Sequence, residues 1–306
     1  MRHLSIVRPG MLTTIQDRGR WGRQASGVPV AGPMDVYSHR LANRLVGNDD
    51  DAAALEITII GPELEAEDDM VCAIAGAEFA VAVDGVPAPL SRPFTLASGA
   101  RLRFGERLAG ARASLAVAGG IAVEPVFGSR ATSVISHMGP LGGRPLVAGD
   151  RLPIGSTTPG GLPAGTPLPL PRGGATVRVI LGPHDHWFTP EAVRTLLETR
   201  FVVTPQSNRM GYRLEGAPLS HSAGSDILSD ATPIGSLQVP GSGQAILLMA
   251  DRQTTGGYPK IATVVTADLP IAGQLAPGDW IAFMACTPAD ALEALHAQEA
   301  RLAGTR

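Results

Sequence analysis

Lys260 is the only lysine in a chain of 306 residues with 25 Lys plus Arg. It closes the run DRQTTGGYPK, residues 251–260, in which Gly256 and Gly257 carry no side-chain bulk and Pro259 fixes a torsion ahead of the β-branched stretch IATVV. A compact ammonium with three donors on a flexible stem can follow a moving phosphate or carboxylate, whereas a flat guanidinium wants a fixed bidentate partner. A second polar run, TPQSNRMGYRLEG (204–216), puts Asn208 and Arg209 on a turn before Gly211. Arg209 there either grips a carboxylate or phosphate in a bidentate way or bridges to Glu215. A third run, DRGRWGRQASGVPVAGPMD (17–35), is a glycine-spaced loop leading into a helix. Its Asp17, Arg18, Arg20 and Asp35 read either as groups delivered to a cleft or as an internal Asp-Arg network, with Asp35 accepting from the helix's free N–H groups. The tripeptide HDH (184–186) sets two histidines at strand spacing, able to share a metal only with a third ligand from elsewhere; polar loop-end histidines are the simpler reading.

Several chemistries are excluded by what surrounds these residues. A phosphate-binding P-loop needs Gly before its Lys and a hydroxyl after it, but Pro259 and Ile261 occupy those places. No GxSxG nucleophile elbow occurs, and Lys260 lacks the Ala-Met-Lys-Met setting of a biotinylated lysine, so any biotin would be a visitor. Cys72 and Cys286 have neither CxxC nor metal spacing and read as reduced core thiols. A net charge of −3 supplies no basic field for nucleic acid, and the apolar runs are too short to span a membrane. The expected location is the cytoplasm.

The elements that must position these groups are mostly strands. With 37 Gly and 26 Pro scattered among short β-branched runs, the chain reads as many short strands joined by tight turns. LSIVR, LEITII, MVCAIAG, FAVAVDG, RLRFGE and SLAVAGG are strand candidates in the first half. TVRVILG, FVVTP, YRLEG, SLQVP, AILLMA, KIATVV and WIAFMA follow in the second. Helices are few: Met34 to Val46, then one capped by Thr189 with Pro190 at its first position, and a last one opened by a Thr287/Asp290 capping box. STTPGGLPAGTPLPLPRGG (156–174) is too rich in Pro and Gly to pack as an element and is the expected linker between residues 1–155 and 175–306. LVAGDRLPIG (146–155) and LAPGDWIAFM (275–284) rhyme as a turn, Gly-Asp, then an alternating strand, which suggests two similar barrels in tandem.

The runs TTIQDRGRWGRQASGVPVAGPMD, HRLANRLVGND, ALEITIIGPEL, GSRATS, SNRMGYRLEG, GSLQVPGSGQ and ADRQTTGGYPKIA, in this order and across both halves, resemble the signature segments of the 5-oxoprolinase C-subunit family, also described as KipA-like, biotin-dependent carboxyltransferase-like or allophanate hydrolase subunit 2. The chain departs from that pattern at Ser114 and in SHMGPLGGRPL (136–146). The resemblance implies a mainly β chain of two tandem cyclophilin-like β-barrel subdomains with a few short helices and the site between them. It also implies a role as one component of an ATP-dependent 5-oxoprolinase, which opens the lactam of 5-oxoproline to glutamate. ATP with Mg would serve the complex, and the partners would be a B-subunit-like (KipI-like) protein and an A-subunit-like (LamB/YcsF-like) protein. On this reading Lys260, Arg209 and Arg252 are the candidate cations and Thr254, Thr255, Gly256 and Gly257 the backbone donor loop, with Asn208, Tyr258 and Asp35 beside them. Asp251 or Asp17 is the carboxylate. The alternative is carboxyl transfer from a visiting carboxybiotin to urea or a related small amide, and a third reading is a non-enzymatic regulator that binds a kinase-inhibitor partner.

Overall fold

The computed structural model describes residues 2–157 and 162–305. The chain is mainly β with a few short helices, and it divides into two compact units. The first holds the residues up to Arg20, Ala31–Leu170 and those from Glu299 on; the second holds Trp21–Val30 and Pro171–Gln298.

The first unit is a half-barrel sheet of nine strands. Its main path runs Leu12–Gln16, Ala54–Thr58, Arg101–Val117, Glu63–Ala66, Arg2–Arg8 and Arg151–Ile154. Met70–Val83 branches from it, pairing with Arg101–Val117 and Pro93–Leu96. The four strands expected between residues 70 and 117 are therefore two long ones. Gly76 (φ 97°) and Gly110 (φ 68°) take conformations closed to most residues, and the register shifts that begin after Gly76 bend the pair without ending it. Alternate side chains along these strands, among them Leu55, Ile57, Ile74, Leu102 and Leu115, form the core. The first helix, Val36–Leu45, is held at its start by Asp35, which accepts from Ser38 N (2.8 Å) and Ser38 Oγ (2.6 Å). It buries Tyr37 and Leu41 against Leu302.

The second unit is a closed seven-stranded barrel. Its order is Gly174–Leu181, Lys260–Val264, Ser236–Gln238, Ile246–Leu248, Gly211–Glu215, Arg200–Val203 and Trp280–Ala285, and the last closes onto the first in parallel. Phe201 and Phe283 meet inside, with ring centroids 5.9 Å apart. Both expected caps form. Thr189 Oγ1 accepts from Ala192 N at 3.1 Å, and Thr287 and Asp290 exchange hydrogen bonds in a capping box.

The rhyme between the halves is structural. Gly149 and Gly278 have φ of 88° and 93°, and the aspartate after each turns back on the chain. Asp150 accepts from Val147 N and Asp279 from Ala276 N, both at 2.8 Å. Each glycine N–H also donates at 2.8 Å to a strand of its own unit, at Ile6 O and Val203 O.

The expected domain limits need three corrections. Residues 162–170 are not a free linker: Tyr37 Oη donates to Thr166 O (2.6 Å), Arg44 Nη1 to Pro163 O and Arg301 Nη1 to Pro167 O, and Leu168 packs beside Tyr37. Prolines lack N–H groups but keep carbonyls, and these carbonyls tie the stretch to the first unit. Residues 158–161 of the expected linker lie outside the described residues. Trp21–Val30 groups with the second barrel, and the last turn of the helix Pro288–Ala303 groups with the first unit through Leu302 and the Arg40–Glu299 pair. Cys286 is half-buried and not a core thiol, whereas Cys72 is fully buried and its thiol is pushed up to about 12 by that burial. Among the described residues no helix is long and apolar enough to cross a membrane.

Candidate functional site

In the second unit, Thr255–Gly256 pairs with Asp230–Ala231 to make a short ribbon. Ile227 N donates to Gly257 O (2.8 Å) and Thr232 N to Thr254 O (3.2 Å) at its two ends. The ribbon brings Asp230 to the start of the barrel strand Lys260–Val264. Lys260 is 1% exposed, and its ammonium donates to Asp230 Oδ2 at 2.6 Å and to Ala231 O at 2.8 Å. The outer face of the Asp230 side chain stays half exposed, and the hydrogen bond from Lys260 holds its carboxyl below the usual carboxylate range. Behind the lysine, His184 Nδ1 accepts from Lys260 N (3.3 Å) and His184 N donates to Lys260 O (3.1 Å). Burial first, then the lysine's charge, holds the imidazole below its ordinary value. The aspartate on the ammonium, 30 residues earlier in the chain, has no signal in its polar loop SHSAGSDILSDATP.

Arg252 lies at the other end of the ribbon and is 8% exposed. Nε donates to Thr232 O at 2.7 Å, and among the described residues the two terminal nitrogens meet no hydrogen-bond acceptor and no carboxylate. Burial alone pushes the guanidinium down to about 10. Arg252 forms part of the wall of a pocket of about 230 Å³. Trp21, Val30 and Pro233 give that wall apolar surface; Thr232, Gln253 and Thr254 give it polar groups.

The other expected site residues are placed differently. Arg209 bridges to Asp251, not to Glu215: Nε–Oδ2 is 3.1 Å and Nη2–Oδ1 3.2 Å, with both side chains buried. Asp251 is thus the partner of Arg209 and not of Arg252. Asn208 Oδ1 accepts from Met210 N (2.8 Å) and Gly211 N (3.4 Å), which makes it the knot of its own turn. A side chain at Gly256 would meet the amide ends of Gln238 (2.7 Å) and Gln253 (3.1 Å), flexible groups that would have to shift; Gly257 is more open. Thr255 and Tyr258 are exposed, and Pro259 O accepts from Val239 N (3.1 Å). His184 caps a 3-10 turn, Asp185–Trp187, and His186 lies within it, so the two are not at strand spacing. Among the described residues no three His, Cys, Asp or Glu side chains gather as a metal site. Asp17 and Asp35 belong to the first unit. Asp17 accepts from Gly19 N (2.9 Å), Ser129 Oγ (2.6 Å) and Arg130 N, binding two loops together, and Asp35 is the helix cap described above.

A buried cation with an unshared fork, at the end of a glycine-bearing ribbon whose other end holds a charge-paired lysine, is suited to holding a small anion in fixed orientation. The family model for the carboxyltransferase domain, subdomain A and B, matches residues 26–285. The chain belongs to this family. Within the carboxyltransferase-domain family it is 40% identical to the 5-oxoprolinase C subunit of Escherichia coli (strain K12), over 97% of this chain and 95% of that protein. It is 35% identical to the urea amidolyase of Lachancea kluyveri over 91% of this chain but 17% of that protein. The crystal structure of the K. lactis urea amidolyase superposes with a TM-score of 0.91 at 31% identity, covering 97% of this chain and 19% of that one. The chain therefore spans about a fifth of the urea amidolyases it matches.

Proposed function

We propose that the protein is one component of an ATP-dependent 5-oxoprolinase complex that opens the 5-oxoproline lactam to L-glutamate. The observation that carries this reading is the 40% identity to a 5-oxoprolinase C subunit over nearly the full length of both chains. A five-membered lactam is a stable amide, so its opening needs activation. Transfer of a phosphoryl group from ATP to the amide oxygen makes the carbon electrophilic; water adds there and the C–N bond breaks. A second water releases phosphate, leaving glutamate and ADP. ATP with Mg is a co-substrate of the assembly on this reading. This chain's contribution is to hold the anionic end of the substrate at Arg252, where a buried guanidinium is worth more than one in water. The partners are a B-subunit-like (KipI-like) protein and an A-subunit-like (LamB/YcsF-like) protein.

A second reading, carboxyl transfer from a visiting carboxybiotin to a small amide, is favoured by the likeness to the urea amidolyases. Mixing the purified chain with its partner proteins, 5-oxoproline and ATP separates the two. Formation of ADP and glutamate supports the first, and biotin-dependent incorporation of bicarbonate into urea supports the second. Tight partner binding with neither product supports a regulator.

A further inference from the structure

We propose that the Arg252 pocket is the seat of the carboxylate of a compact lactam acid, with the lactam ring lying against Trp21, Val30 and Pro233. The inference rests on the 5-oxoprolinase reading and deepens it by naming which group of the substrate this chain binds.

Three observations carry it. Arg252 is more than nine-tenths buried, yet only Nε is spent, on the Thr232 carbonyl; the terminal nitrogens form the fork that a planar carboxylate meets with two parallel hydrogen bonds. Charge decides between carboxylate and phosphate. Arg252 is the one cationic side chain on this pocket's described wall, and the Lys260 ammonium, off that wall, is matched by Asp230. One guanidinium balances a monoanionic carboxylate and leaves a dianionic phosphate half compensated in a poorly solvated place. The size and mixed lining fit as well. About 230 Å³ suits a single five-membered ring with its substituents, apolar surface stands ready for the ring methylenes, and Thr254 and Gln253 offer polar groups to the lactam amide.

Isothermal titration calorimetry on the full chain tests this with three probes: 5-oxoproline, 2-pyrrolidone, which is the same lactam without the carboxylate, and inorganic phosphate. The expected result is saturable binding of 5-oxoproline, with pyrrolidone and phosphate weaker by at least about tenfold. Arg252→Gln should weaken 5-oxoproline at least about tenfold, and Arg252→Lys less, because it keeps the charge but loses the fork. Should Arg252→Gln fail to fold, Thr254→Glu, which sets a like charge at the half-buried rim, should abolish 5-oxoproline binding without moving the melting temperature. Phosphate or pyrrolidone binding as tightly as 5-oxoproline, unchanged binding in a folded Arg252→Gln or Thr254→Glu variant, or no saturable binding at all overturns the proposal. The two readings fail separately. A complex carrying Arg252→Gln that opens 5-oxoproline with the wild-type KM removes the pocket and leaves the 5-oxoprolinase assignment. A chain that binds in the expected pattern but yields no glutamate with its partners removes the assignment and leaves the pocket.

Discussion

Asp251 is, with Asp17, one of the two candidate carboxylates under the family resemblance, and the structure gives it another occupation as the acceptor of two hydrogen bonds from Arg209 in a dry setting. Breaking such a pair strands a charge, whereas replacing both partners by apolar groups is often neutral. Asp251→Ala is therefore expected to cost about 3–5 kcal/mol of unfolding free energy in a urea titration. A loss of turnover with unchanged stability would instead return Asp251 to the chemistry. Lys260 carries the opposite balance, since its carboxylate partner is half open to water and its ammonium is not. Lys260→Arg must fit a larger head into that buried place, an overpacking expected to cost about 1–3 kcal/mol in thermal unfolding. In the assembled complex it should also lower turnover at least about tenfold, about 1.4 kcal/mol, with Arg252→Lys milder. Wild-type kinetics for Lys260→Arg in a correctly assembled complex would make the lysine incidental to turnover. Composition alone drew attention to Lys260, the only lysine, whereas Arg252 entered through the family resemblance. The sequence was silent on Asp230 and Thr232, because a lone aspartate or threonine in a polar loop looks the same whether it faces water, a lysine 30 residues away or an arginine 20 residues away.

At the scale of elements, the Gly-Asp turn is built twice with the same φ and the same aspartate hydrogen bond, so both copies should respond alike. A side chain at Gly149 or Gly278 meets nothing within 4 Å, and only the left-handed backbone resists it. Gly149→Ala and Gly278→Ala should each cost about 1–2 kcal/mol by chemical denaturation. Costs that differ several-fold would show that the two turns are only superficially alike. The first helix carries a pH-sensitive residue, His39, fully buried and lowered by that burial from 6.5 to about 4. Between these values the unfolded chain holds a proton that the folded chain refuses, so stability falls as the pH drops from about 6.5 to about 4, by on the order of 3 kcal/mol in all. Unfolding titrations at pH 7, 5.5 and 4.5 should show this slope, and His39→Asn should flatten it; an equal slope in both proteins would assign the acid sensitivity elsewhere. Caps and turns were legible because their signals lie within four residues of one another, as in Thr189-Pro190 and Thr287-Asp290. The two long strands were not, since Gly76 reads as a stop in sequence and acts as a bend in a continuing ladder.

For the molecule as a whole, the two-part organisation was legible from the repeated Gly-Asp rhyme, but not the crossing of segments. Nothing local in DRGRWGRQASG says that residues from Trp21 on count with a barrel that begins 150 residues later. The resemblance to one component of an assembly leads us to expect the isolated chain to be nearly inactive on 5-oxoproline; robust turnover without partners, measured as ADP and glutamate, would refute that. The terminal crossing has a further consequence, which concerns time. Leu302 is fully buried among Tyr37, Leu41 and Ala42, and Glu299 pairs with Arg40. These contacts belong to the first unit, yet their residues are made after almost every other described residue. A sheet whose strands are all synthesised by Ile154 lacks the Leu302 side of the cluster around Tyr37 and Leu41 until the second barrel has been translated. The N-terminal unit is thus first to be built and last to be sealed, leaving an apolar face that chaperones can hold throughout synthesis.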